Sequence, residues 1–146
     1  MNYITYGKLL LILLSRSTNL KQIEWVPPAP PLYKKCQVRS QVFGFPLTHD
    51  DIQVWAENHN IRPESEAYVR YDAALKAICS RLPRNHRRMT IIHNPMATYL
   101  RSMCIVVGTN FNAKDMETTQ DAELIKSLYD AIDMGNPPGW FYVSQG

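Results

Sequence analysis

The sequence predicts an α+β domain: a mixed sheet of about four strands with three core helices mainly on one face, preceded by an N-terminal amphipathic helix. Its 146 residues, 45% hydrophobic and 20% charged, suit one globular domain with a single core. Segments with strand and helix periodicity follow one another in the order β-α-α-β-β-α-β. A run of prolines separates these segments from an apolar N-terminal stretch.

Residues 1–25 are predicted to form the N-terminal helix, because Leu9, Leu10 and Leu13 recur on one face at helical spacing. The uninterrupted apolar run Leu9–Leu14 is shorter than the roughly 7–15 residues of a secretory core. It is also shorter than the roughly 18–20 residues of a membrane span. We expect this helix to contact a protein partner or a second copy of the chain. Docking on the body of the protein and contact with a membrane surface are the alternatives.

Residues 26–35 are predicted to form a stiff polyproline II linker, since each proline fixes φ and lacks an N–H donor. Within it, Pro30, Pro31 and Tyr33 belong to a Pro-Pro-x-Tyr tetrad that resembles the ligand motif read by WW domains. The resemblance implies a protein partner whose specificity pocket takes Tyr33. The alternative is a structural strut with Tyr33 packed onto the body.

The remaining segment, residues 36–146, is predicted to hold the α+β domain. Capping and breaker residues set the expected bounds of its elements. The first expected elements are a strand over Gln37–Phe45 that ends at Gly44–Pro46, a helix opened by Thr48 and Asp51, and a second helix opened by Pro63–Glu66 and stopped by Pro83. Two antiparallel neighbouring strands are expected at Met89–His93 and Met103–Val107. A third core helix, opened by Thr118–Asp121 with Gly135 at its left-handed cap, is expected to lead through a parallel crossover to a last strand at Trp140–Val143.

Positive charge is concentrated in the first two-thirds of the chain. Residues 1–101 carry 14 Lys+Arg against 7 Asp+Glu, whereas residues 102–146 carry 2 against 6. The densest basic cluster consists of Arg81, Arg84, Arg87 and Arg88. One interpretation is a nucleic-acid or phosphate-binding protein that uses this cluster. The other is that these arginines pair with the helix C-terminus and with the acidic part of the same fold.

Three cysteines, Cys36, Cys79 and Cys104, are widely spaced and form no C-x-x-C motif. This pattern disfavours a disulfide scaffold or a structural zinc site and favours an intracellular, cytoplasmic protein. If the predicted hairpin is symmetrical, Cys104 lies opposite Ile91 and away from His93, so no Cys–His pair is expected.

The remaining polar groups predict no catalytic residue, no metal site and no cofactor. His49 and His59 are ten residues apart and cannot share a helical face as zinc ligands. The leading hypothesis is therefore a non-enzymatic protein-interaction domain whose partner is another protein or a second copy. A third hypothesis is an enzyme whose site is assembled from distant residues such as Cys104, His93 and Asn110.

Overall fold

A computed structural model describes residues 27–34 and 38–144, so the predicted N-terminal helix with Leu9, Leu10 and Leu13 lies outside the described residues. Four strands and four α-helices follow one another in the main domain. They are β1 (Gln41–Leu47), α1 (His49–Asn58), α2 (Ala67–Ser80), a 3₁₀ turn (Arg84–His86), β2 (Met89–His93), β3 (Arg101–Thr109), α3 (Ala113–Thr118), α4 (Ala122–Ile132) and β4 (Gly139–Tyr142).

The four strands form one sheet in the order β2-β3-β1-β4. The α+β class, the four strands and the antiparallel pairing of β2 with β3 are confirmed. The prediction of a mixed sheet is wrong, because β1 pairs antiparallel with both β3 and β4. It follows that β3 and β4 run in the same direction, as the predicted crossover requires, but β1 lies between them and they do not pair.

The three predicted core helices pack on one face of the sheet, which confirms that part of the fold prediction. Their apolar stripes meet the side chains of β1 and β3 that point to this face, such as Phe43, Phe45 and Ile105. The fully buried members of this core include Phe43, Phe45, Ile52, Ile78, Ile105, Ile125 and Leu128.

A second, smaller hydrophobic core lies on the opposite face of the sheet, where the outer strands β2 and β4 approach each other. Its buried members are Val42, Ile92, Cys104 and Val106, with Phe141 and Val143 packed against them. The two outer strands meet where Val143 bridges Ile92, and the N–H of Ser144 donates to the carbonyl of Ile91 at 2.9 Å. The sheet therefore buries both of its faces with three core helices on only one of them.

Helix α1 begins as predicted. Thr48 is its N-cap, and its hydroxyl accepts a hydrogen bond of 3.0 Å from the N–H of Asp51. The Asp51 carboxylate accepts one of 3.0 Å from the N–H of Thr48, which completes a capping box. The predicted apolar stripe of this helix is buried at Ile52, Trp55 and Ala56.

Strand β1 was expected to end at Gly44–Pro46 but continues through both to Leu47. A side-chain Cβ at Gly44 would lie 2.1 Å from the carbonyl oxygen of Ile105, so only glycine allows β3 to approach this closely. Strand β4 pairs with β1 only as far as Gly44. Beyond that point β1 has an open edge, which is where a strand tolerates Pro46.

Two helix ends also differ from the prediction. Helix α2 starts at Ala67 because Arg62 adopts a left-handed conformation (φ 40°) and Ser65 closes a turn onto it, which prevents a helical start at Pro63. At the end of α4 the left-handed cap is Asp133 (φ 58°), two residues before the predicted Gly135.

Candidate interaction surface

The proline arm, defined here as residues 27–33, lies against the body of the protein at the end of β3. The carboxamide Nδ2 of Asn110 donates hydrogen bonds of 3.0 Å to the carbonyls of Pro31 and Arg39. Its Oδ1 accepts one of 2.8 Å from the N–H of Gln41. The carbonyl of Asn110 accepts one of 2.7 Å from the N–H of Tyr33. A single, fully buried asparagine thus joins the arm to the first and third strands.

The predicted site residue Tyr33 lies at the protein surface beside Phe111. Their rings meet edge to face, with centroids 6.1 Å apart and an interplanar angle of 62°. Tyr33 is 42% exposed and Phe111 is 51% exposed, and the neighbouring Leu32 is 39% exposed. Together Leu32, Tyr33 and Phe111 form what we call the arm patch. Such side chains are candidates for contact with a protein partner.

Among the described residues, no member of either hydrophobic core comes from the arm. Every residue of the two buried clusters, and every side chain packed against them, comes from residues 42–143. The arm therefore lies outside both cores, although Pro27, Ala29 and Pro30 are half-buried. Proline segments suit this arrangement, since polyproline II has no internal hydrogen bonds and leaves its main-chain groups to other partners.

One arginine of the basic cluster, Arg87, is hydrogen-bonded to main-chain carbonyls of its own region. The Arg87 guanidinium donates to the carbonyls of Leu82 at 2.9 Å and Ser80 at 3.4 Å, so it binds the C-terminal end of α2. Cations at that end of a helix are favourable because unpaired carbonyls and the dipole both attract them.

The other three arginines are exposed but differ in their contacts. Arg88 pairs with Asp115 at 3.6 Å, which links the basic and acidic portions of the chain. The guanidinium carbon of Arg81 lies 5.8 Å from the centroid of the Trp55 ring. Within residues 27–34 and 38–144, Arg84 makes no ion pair or side-chain hydrogen bond. The structure therefore brings the four arginines to one region of the surface without directing them at a common point.

Cys104 is fully buried, and burial raises the pKa of its thiol to about 12. It pairs with Thr90, one residue from the predicted Ile91, because the β2–β3 register is shifted by one. His93 instead pairs with Arg101 and is exposed. The prediction that Cys104 and His93 do not face each other is confirmed. A neutral thiol in the core is a poor nucleophile.

The two histidines at the ends of helix α1, His49 in its first turn and the C-cap residue His59, have aromatic partners. The His59 ring stacks on the Trp55 ring with the two ring centroids 3.9 Å apart. The Nδ1 atom of His59 lies 2.9 Å from the Trp55 carbonyl oxygen. His49 stacks on Tyr71 at 5.1 Å. In the part of the chain that the structure describes, no three His, Cys, Asp or Glu side chains come together as a metal-binding group.

A groove of about 410 Å³ between the start of α1 and the β2–β3 loop was not predicted from the sequence. Its walls include Thr48, His49, Met96, Tyr99 and Arg101, and Met96 and Tyr99 are more than four-fifths exposed. The loop is held by the buried Asn94, whose Oδ1 accepts from the N–H of Met96. The only signal for this surface in the sequence was the presence of large apolar residues within an irregular connection.

Comparisons with known proteins find no matching family model, no similar curated protein and no similar solved structure. Among the described helices, none has the length and apolar character needed to cross a membrane.

Proposed function

We propose that this chain is a non-enzymatic protein-interaction domain. It engages a protein partner through the apolar residues Leu9, Leu10 and Leu13 and through Pro30, Pro31 and Tyr33 of the proline arm. The observation that carries the proposal is that, among the described residues, neither hydrophobic core includes a residue of the arm, while Leu32 and Tyr33 lie partly exposed at the surface. Exposed apolar side chains outside both cores are available for contact with a partner.

The chemistry of the arm supports a partner that reads extended proline segments. Proline fixes the backbone before binding, so little conformational entropy is lost on docking. The side chains of Leu32 and Tyr33 remain about two-fifths exposed. Within the described residues, the arm is held by two hydrogen bonds to Asn110 and one ring contact with Phe111, and a partner can compete with these contacts.

The state of the reactive side chains also supports binding over catalysis. The Cys104 thiol is buried, with its pKa raised to about 12. His59 and His49 each stack on an aromatic ring. Asn110, a candidate for a site assembled from distant residues, uses its whole carboxamide to hold the main chain.

The proposal is tested by calorimetric titration of the full chain with a WW domain of the class that reads Pro-Pro-x-Tyr, called the reader below. We expect saturable binding that is lost in Tyr33→Ala and in Pro30→Ala. Pro28→Ala is the matched control, because Pro28 is an exposed proline outside the tetrad and should leave the affinity unchanged. Absence of binding both to the full chain and to Phe111→Ala, which removes the ring contact of the arm, would contradict this part of the proposal.

The N-terminal part is tested by removing residues 1–25. We expect the truncated chain to keep the urea midpoint of the full chain and to lose any self-association seen in sedimentation equilibrium. Unfolding of the truncated chain would mean that residues 1–25 belong to the core, which contradicts their proposed role in partner contact.

Nucleic-acid or phosphate binding through Arg81, Arg84, Arg87 and Arg88 is the alternative proposal. It is the weaker one, because Arg87 binds helix carbonyls and Arg88 pairs with Asp115. Groups already satisfied within the fold add less to phosphate binding than groups that face solvent alone.

A further inference from the structure

Main-chain groups of the arm that a partner would contact are already hydrogen-bonded to the body of the protein. A free polyproline II segment offers its carbonyls and N–H groups to solvent or to a binding groove. Here the Pro31 carbonyl accepts from Asn110 Nδ2 at 3.0 Å, and the Tyr33 N–H donates to the Asn110 carbonyl at 2.7 Å. A reader of the tetrad therefore meets two main-chain groups that are already hydrogen-bonded.

The ring of Tyr33 is also packed against the body of the protein. Its edge-to-face contact with Phe111 helps to cover more than half of the side chain, which is 42% exposed. A pocket that encloses the tyrosine ring must cover the surface that Phe111 now contacts. The ring cannot occupy such a pocket and rest on Phe111 at the same time.

We propose that Asn110 and Phe111 form a latch that holds the Pro-Pro-Leu-Tyr tetrad closed, and that a protein reader binds only the released arm. This inference rests on the proposed function and adds its regulation. Because the reader binds one of two states, its apparent dissociation constant equals the intrinsic constant divided by the released fraction. Whatever loosens the latch strengthens binding, although it adds no contact to the partner.

Release of the arm leaves the body intact. Without Pro31, Asn110 still donates to Arg39 and accepts from Gln41 through its side chain, and its N–H still donates to the Gln41 carbonyl at 3.2 Å. Neither core contains an arm residue. Within the described residues, opening therefore breaks the two hydrogen bonds to Asn110 and the ring contact with Phe111, and it removes no residue from either hydrophobic core.

The latch is tested with Phe111→Ala in the full chain, titrated with the reader beside the wild type. We expect the variant to bind about two- to tenfold more tightly, the range that one edge-to-face aromatic pair contributes. The Tyr33 amide should also exchange its hydrogen faster in this variant. Tyr68→Ala, which truncates an exposed aromatic ring on α2, is the matched control and should match the wild type in both measurements.

The outcomes separate the latch from the proposed function. Equal affinity of Phe111→Ala and the wild type, with binding still lost in Tyr33→Ala, overturns the latch and leaves the proposed function standing. Weaker binding by Phe111→Ala overturns the latch as well, since Phe111 would then help the partner. No binding by either protein overturns both, because a released arm would then also fail as a ligand.

Discussion

The carboxamide nitrogen of Asn110 lies 3.0 Å from the carbonyl oxygen of Pro31, a residue 79 positions earlier in the chain. This hydrogen bond joins the end of the central strand β3 to the proline arm. Asn110 itself is completely buried, whereas Pro31 is exposed. The main chain of the arm is thus fixed to the body at Pro31 and Tyr33, while the side chains of residues 31–33 remain partly exposed.

Asn110→Ala is expected to lower the free energy of unfolding by about 2–4 kcal/mol, since three side-chain hydrogen bonds are lost and the partly buried main-chain groups of Pro31, Arg39 and Gln41 lose their partner. Urea unfolding followed by tryptophan fluorescence measures the change. Asn85→Ala removes an exposed asparagine from the 3₁₀ turn and should change stability by less than about 0.5 kcal/mol. Equal effects of the two substitutions would show that Asn110 does not organise this region.

Gly44→Ala is expected to destabilise the protein by about 3 kcal/mol, because the new methyl group would overlap the Ile105 carbonyl at 2.1 Å and the Cys104 sulfur at 2.7 Å. Gly135→Ala is the comparison. It has open space around the new Cβ but a φ of 77°, so only backbone strain of about 1 kcal/mol is expected. Thermal or urea unfolding should rank them in this order; the reverse order would contradict the described β1–β3 contact.

The Cys104 thiol is expected to make the protein less stable in alkali. Its pKa is about 12 in the folded chain and about 8.5 when exposed. The folded protein keeps this proton while the unfolded chain loses it. The contribution of the protonated Cys104 thiol to the free energy of unfolding is complete below about pH 8.5. It is lost as the pH rises towards 12, and the free energy of unfolding then falls by up to about 1.4 kcal/mol per pH unit.

Urea unfolding at several pH values between 8 and 10.5 measures this dependence. The decline should become clearly shallower in Cys104→Ala and change less in Cys79→Ala, because burial raises the pKa of Cys79 as well but this thiol is less buried than that of Cys104. The raised pKa values of Tyr71 and Tyr129 act in the same direction in both variants. Identical slopes in the two cysteine variants would argue against a buried Cys104 thiol.

The triple substitution of Arg84, Arg87 and Arg88 by glutamine tests the alternative function. If the cluster serves the fold, retention of the protein on heparin should drop only by the amount that the lost charge predicts. Replacing Lys34, Lys76 and Lys114, exposed lysines elsewhere in the chain, by glutamine removes the same charge and serves as the control. A much larger loss of retention in the arginine variant, with a flatter salt dependence, would favour the anion-binding proposal.

Local signals in the sequence predicted most of the elements. The capping box of Thr48 and Asp51 and the β-branched run Met89–His93 depend on neighbours only a few residues away, and both were placed correctly. The apolar run within β3 correctly indicated a central strand. Such features are visible in sequence because their physical causes are short-range.

Features that depend on distant residues were missed. Pro46 fits within β1 only because β4 stops pairing at Gly44, which no local pattern reveals. The role of Asn110 depends on Pro31, Arg39 and Gln41, which are about 70–80 positions away. For the candidate site, the sequence singled out Tyr33 as a contact residue but gave no sign of Phe111, since the two rings meet only in the folded chain.

A titration of the ¹⁵N-labelled full chain with the reader, followed by amide chemical shifts, shows directly which surface meets the partner. We expect the largest changes at Leu32, Tyr33, Asn110 and Phe111, while the amides of both hydrophobic cores stay unchanged. Changes centred on the Arg84–His86 turn or on the β2–β3 loop, with the arm unaffected, would contradict the claim that this protein meets its partner through the proline arm.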